Sequence, residues 1–124
     1  MAGGARITHP DDTAFTQSLR EFFAYRDLGI GIATRGEAVA HVIRANGASE
    51  EARDWHRHNA KFQMVYVLKG WVDFEYEGQG RTRLEAGACV YQPRNVRHRE
   101  MGHSADLEML EVAMPADFKT FEAP

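Results

Sequence analysis

From about residue 38 onward, apolar and polar positions alternate in short runs broken by glycine. In Ala38 to Ala45, Val39, His41 and Ile43 share one face. Phe62 to Lys69 is followed by Gly70, and Trp71 to Glu77 then places Val72, Phe74 and Tyr76 opposite Trp71, Asp73, Glu75 and Glu77. This period of two predicts strands. Glu77-Gly78-Gln79-Gly80 predicts a hairpin turn into Arg81 to Leu84, and Glu85-Ala86-Gly87 a second turn into Cys89 to Gln92. Val96 to Arg99 and Leu107 to Ala113 complete the series. Short strands at this rhythm, with little helix, predict an all-β barrel or sandwich.

Three stretches break the alternation. Phe15, Leu19 and Phe22 recur at spacings of four and three behind Asp11 and Asp12, either of which can cap a helix, so a short helix packing on the sheet is predicted. Tyr25 to Gly36 holds Gly29, Gly31 and Gly36 without a sustained period and reads as irregular chain. Pro115 to Pro124 reads as a tail with a turn of helix around Phe118 and Phe121. The plan is one structural domain: an arm and helix over residues 1–37, a barrel over 38–113 and a tail over 114–124.

Both faces of the strand after Phe62 are apolar, with Gln63, Val65 and Val67 on one and Met64, Tyr66 and Leu68 on the other. One face lines the barrel, and the other needs a cover, for which a homodimer is the expectation. Composition adds mainly exclusions. At 124 residues, 44% hydrophobic and 27% charged with net charge −3, the chain carries no electrostatic footprint for nucleic acid or an anionic membrane. Cys89 is the single cysteine, so no internal disulfide framework exists. The N-terminus shows no apolar core of signal-peptide length, and the apolar run Met64 to Leu68 is too short to span a bilayer. A cytoplasmic protein acting on a small molecule is expected.

The candidate chemistry lies in two separated segments. His56 and His58, two apart, project to the same side of an extended backbone, Gln63 follows five residues after His58, and His98 arrives behind Pro93 and Asn95. Neutral imidazoles are common ligands for zinc, copper, nickel and iron(II). The alternative from spacing alone makes His56 and His58 exposed loop residues and His98 a hydrogen-bonded residue at a strand start. His41 and Glu111 are further pocket candidates, although a lone histidine beside valine and isoleucine is more often a satisfied core residue and edge exposure is the simpler account of Glu111, as of Glu108. Arg57, Arg97 and Arg99 alternate with the histidines and should point away. Cys89, between alanine and valine, reads as a buried small hydrophobe, and His103 carries no assigned role.

These residues resemble the two short motifs of the cupin superfamily. His56, His58, four residues, Gln63, six residues and Gly70 follow the spacing of the first motif; Gly87, five residues, Pro93, Arg94, Asn95, two residues and His98 follow that of the second. The resemblance runs from about Val39 to Ala113. It implies a double-stranded β-helix (jelly-roll) barrel, with one divalent transition metal per subunit (Zn, Ni, Fe or Mn) held by His56, His58, Gln63 and His98. Three positions depart from the family pattern: Gln63 replaces a glutamate ligand, Asn95 an inner glycine and Gly102 a terminal asparagine. Asparagine tolerates a left-handed backbone, so Asn95 is benign. Gln63 changes the chemistry, since three imidazoles and an amide leave the charge of the ion uncompensated by its ligands; the alternative for Gln63 is a buried amide hydrogen-bonded inside the barrel, with metal held by three histidines or absent. With Gln63 as a ligand, the site favours Lewis-acid chemistry and an anionic oxygen ligand. The resemblance therefore implies an isomerase, lyase or sugar-acid ring-opening enzyme. Its alternatives are a non-catalytic cupin that binds a small ligand or metal, and an iron-dependent dioxygenase.

Overall fold

The computed structural model describes residues 4–17 and 22–124. The clearest element is the hairpin in which β6 (Trp71–Tyr76) and β7 (Gly80–Glu85) pair Val72 with Leu84, Asp73 with Arg83 and Glu75 with Arg81. Partners across an antiparallel pair share a face, so this register sends the apolar pairs inward and the ionic pairs outward. The connecting turn uses Gly78 and Gly80 at positive φ, as the glycines predicted.

Around it, β4 (His56–His58), β9 (His98–His103) and β11 (Thr120–Glu122) complete a five-stranded antiparallel sheet in the order β11-β4-β9-β6-β7. A second sheet has the order β1-β2-β3-β10-β5-β8, with β1 at Thr16–Gln17, β2 at Phe23–Asp27, β3 at Val39–Ala45, β5 at Phe62–Lys69, β8 at Cys89–Tyr91 and β10 at Glu108–Met114. The core lies between the two: Ile43, Val65, Val67 and Met109 from the six-stranded sheet meet Val72, Phe74, Tyr76 and Leu84 from the other. Val67 and Val72 are fully buried, and a valine in that position contributes roughly 1.5–3 kcal/mol. The alternation in β5 is realised as predicted: Gln63, Val65 and Val67 are buried, while Tyr66 and Leu68 stay exposed.

Gly70 ends β5 at φ 72, and a Cβ there would lie 2.6 Å from Asp106 Oδ1 and 3.0 Å from the Leu107 Cα. Backbone conformation and close approach both require glycine at this motif position.

Several expectations are corrected. Among the described residues there is no helix at Phe15: Asp12 accepts the His9 N–H in a turn, and β1 pairs with β2. Leu19 of the predicted stripe lies outside the described residues. Tyr25 to Gly36 is not irregular, since β2 pairs with β3 and a single helical turn, α1 (Ile30–Ala33), follows. The tail forms β11 rather than a helical turn, because it completes the free edge of β4. Glu111 is not at an edge, because β10 is hydrogen-bonded on both sides, to β3 and β5. Cys89 is exposed, since its register opposite Tyr66 puts it on the outer face. Among the described residues, no helix is long and apolar enough to cross a membrane.

Candidate metal centre

The two histidine motifs meet at one pairing. β4 joins β9 with His56 opposite His98, which brings the imidazoles of three positions into one cluster. Ring centroids are 4.3 Å apart for His56 and His98, 4.9 Å for His56 and His58, and 5.0 Å for His58 and His98. One ligand atom from each lies within 4.8 Å of the others. Asn95 closes the arrangement from the second motif. At φ 65 it takes the left-handed conformation expected of it, its N–H donates to the His58 carbonyl at 2.8 Å, and its side-chain oxygen accepts from Arg57 at 2.8 Å.

Each ring is held by its other nitrogen. His56 Nδ1 lies 3.0 Å from the Asp54 carbonyl and His98 Nδ1 lies 2.9 Å from the Val96 carbonyl. A carbonyl only accepts, so in the neutral form of both rings Nδ1 carries the proton and Nε2 the lone pair. His58 Nδ1 contacts the Thr120 hydroxyl at 2.7 Å, the third such orienting contact. Holding a ligand imidazole by its second nitrogen in this way is how metal sites fix tautomer and ring direction. The donor set thus fits a divalent transition metal at His56, His58 and His98. Tyr76 stacks on His98 at 5.4 Å and donates its hydroxyl to Gln92 Oε1 at 2.6 Å; burial pushes its phenol pKa up, which keeps it a donor.

The opposite wall of the cavity comes from the six-stranded sheet. Gln63 Nε2 donates to Glu111 Oε2 at 3.1 Å, a diagonal contact permitted because Gln63 stands opposite Ala113 and Glu111 opposite Val65. Glu111 in turn stands opposite His41, with His41 Nδ1 4.0 Å from Glu111 Oε1 and without a hydrogen bond of its own. Burial raises the Glu111 pKa, and the Gln63 hydrogen bond and the nearby His41 only partly oppose that rise. The cavity between the walls has a volume of about 100 Å³ and is lined by the three histidines, Gln63, Glu111, Gln92 and Glu100 with an apolar surround that includes Phe23, Ile43 and Met109. An outer cavity of about 480 Å³, bounded by Arg53, Trp55 and Glu122 among others, shares Phe23, His56 and Glu100 with it.

All four predicted ligand positions therefore line one cavity, and of the two further candidates Glu111 lines it while His41 stands behind Glu111. Arg97 and Arg99 point outward onto Trp55, and Arg57 onto Phe121. Sequence reasoning missed Gln92 and Glu100. The signal for Glu100 was available, since it is two residues beyond His98 on the same strand face. His103, given no role, is buried with Nδ1 against the Glu100 carboxylate and Nε2 donating to the Gly47 carbonyl at 2.9 Å, tying the loop before β4 to β9. Gly102 fits that same junction, where a Cβ would lie 2.9 Å from the Ser49 carbonyl.

A small antiparallel double-sheet barrel with an imidazole cluster lining a cavity defines a jelly-roll protein able to hold a metal. The chain matches the Cupin domain family over residues 40–113 and belongs to that family. No curated protein matches it. Among solved structures, it is similar to KdgF from Halomonas sp. (TM-score 0.72, 17% identity, covering 89% of this chain and 94% of that one). It is also similar to the polyketide cyclase RemF from Streptomyces resistomycificus (TM-score 0.74, 16% identity, 98% and 87%) and to Fe(II) HppE (TM-score 0.69, 16% identity, 91% and 65%). At these identities the likeness is one of fold.

Proposed function

We propose that this cupin is a metal-dependent enzyme, with one divalent transition metal held by His56, His58, His98 and the amide oxygen of Gln63. Its substrate is a small oxygen-rich or carboxylate-bearing molecule, and the reaction is redox-neutral: isomerisation, elimination or ring opening. The observation that carries this is the set of three imidazoles, each with Nδ1 engaged and their ligand atoms within 4.8 Å of one another. When bound, such a metal polarises a substrate oxygen and stabilises the charge that develops on it. Neutral ligands leave that charge uncompensated within the ligand set itself and favour an anionic substrate group.

The chain's own residues supply the rest. Glu111, a cavity carboxyl that burial makes more basic than usual, serves as the base at a substrate carbon or oxygen. Gln92, its Oε1 occupied by the Tyr76 hydroxyl, turns its amide N–H groups to substrate oxygen. The inner cavity admits only the reacting end of a substrate, and the outer cavity takes the remainder. Among the structures of similar fold, a polyketide cyclase favours the redox-neutral reading and an Fe(II) protein keeps oxygenation as the competing outcome. The test is a screen of unsaturated uronates, small keto acids and catechols with zinc-, nickel- and iron-loaded protein. Turnover of one of the first two classes without oxygen consumption is expected; turnover only with iron and oxygen overturns the redox-neutral reading, and ligand-induced thermal stabilisation without turnover favours a binding protein.

The homodimer belongs to the same proposal. Tyr66, Leu68, Tyr91 and Met114 are 37%, 46%, 57% and 37% exposed on the outer face of the neighbouring strands β8, β5 and β10. Light scattering should give twice the chain mass, reduced to the monomer by Leu68→Asp; a monomeric parent protein overturns it.

A further inference from the structure

Of the three positions at which this chain departs from the cupin motifs, Gln63 is the one that lines the cavity, and a carboxylate stands beside it. Glu111 sits on the adjacent strand β10, diagonal to Gln63 on the cavity face, with its Oε2 3.1 Å from Gln63 Nε2. A carboxylate accepts and does not donate, so this contact sets the amide: Nε2 faces Glu111, and Oε1 is left as the atom that can ligate. Without an acceptor there, the amide is free to rotate by half a turn and present its NH2 group, which has no lone pair for a metal. Glu111 cannot drift, because β10 is paired on both sides and His41 closes its other flank.

We propose that Glu111 is the positioning residue of the metal centre. It orients the Gln63 carbonyl oxygen toward the imidazoles and carries, one hydrogen bond away, the negative charge that the ligand set lacks. The inference rests on the metal-centre reading above and adds to it a second role for Glu111, exercised through Gln63 before any substrate enters. Outer partners of this kind typically change metal affinity by roughly tenfold to a hundredfold.

The experiment titrates metal-stripped protein with Zn2+ by calorimetry and with Co2+ by visible absorption, which reads the ligand field directly and needs no substrate. Glu111→Leu is expected to weaken Zn2+ binding by roughly tenfold to a hundredfold and to shift the Co2+ bands. In a Gln63→Ala background, the same substitution should cost nothing further, because its effect passes through the amide. The swapped pair Gln63→Glu with Glu111→Gln keeps one carboxylate and one amide in contact, and so remains informative if Glu111→Leu does not fold. It should bind Zn2+ at least as tightly as the parent protein and more tightly than Gln63→Glu alone, in which two adjacent carboxylates contend for one proton. Parent-like affinity in Glu111→Leu, an equal loss in both backgrounds, or a swapped pair that binds less tightly than the parent overturns the proposal while leaving the metal centre intact. Absence of Zn2+ and Co2+ binding in the parent protein overturns both.

Discussion

The two walls of the cavity are built by different means. On the five-stranded sheet, His56 and His98 are each oriented by a carbonyl two residues earlier in the chain, Asp54 and Val96, so their direction is set locally. On the six-stranded sheet, Gln63, Glu111 and His41 come from three strands and orient one another only through the register of β5, β10 and β3. The first wall presents lone pairs that tolerate small shifts elsewhere; the second is a relay in which one substitution propagates. This predicts an unequal response to mutation.

The largest effect is expected from the imidazole wall. His56→Ala removes a ligand and should abolish saturable Zn2+ binding in calorimetry, whereas retention of stoichiometric binding would break the distinction between the walls. Next comes the imidazole that is not oriented by its own local backbone. His58 depends on Thr120 in the tail, so Thr120→Val should weaken Zn2+ binding by roughly tenfold, at the low end for such outer contacts. Thr120→Ser, which keeps the hydroxyl, should restore it.

How much of this was readable beforehand follows the same division. The strands of the barrel, its glycine turns and the three histidines of the cluster were legible, because each depends on spacing within one segment. The contact between Gln63 and Glu111 was not, since it depends on which residues of β5 and β10 stand diagonal, and register across a central strand leaves no mark in either segment alone. The N-terminal stripe misled for a related reason: Phe15 and Phe22 have helical spacing, yet each lies against a guanidinium, of Arg44 and Arg53 respectively, while β1 extends the sheet. The tail was misread because its strand forms only against β4, more than sixty residues away. Cys89 reads as core from its neighbours, but strand register, not hydrophobicity, decides its face.

The smallest effect on the site should come from the outer side of the imidazole wall, which serves as a control. Asp73 is buried there and accepts hydrogen bonds from Arg81 and Arg83 at 2.7 and 2.8 Å. Burial alone would raise its pKa, but the hydrogen bonds and charges of Arg83 and Arg81 outweigh it and hold the carboxyl below its ordinary range. A depressed carboxyl contributes stability that is present above the ordinary carboxylate range and lost as pH falls through its native value. Asp73→Asn should therefore lower stability by roughly 1–2 kcal/mol at neutral pH, the two guanidinia being half exposed. Denaturant melts should show the difference from the parent shrinking below about pH 4, with Zn2+ affinity unchanged throughout. A change in metal affinity would mean that the outer ionic cluster and the cavity are coupled.

The most direct test of the metal centre is elemental analysis of protein purified without chelators and equilibrated with a mixture of Zn2+, Ni2+, Fe2+ and Mn2+, set beside His98→Ala treated identically. The parent protein should retain one transition-metal ion per chain and the variant none. A parent protein that retains no metal, or a variant that retains as much as the parent, would contradict the assignment of His56, His58 and His98 as a metal centre.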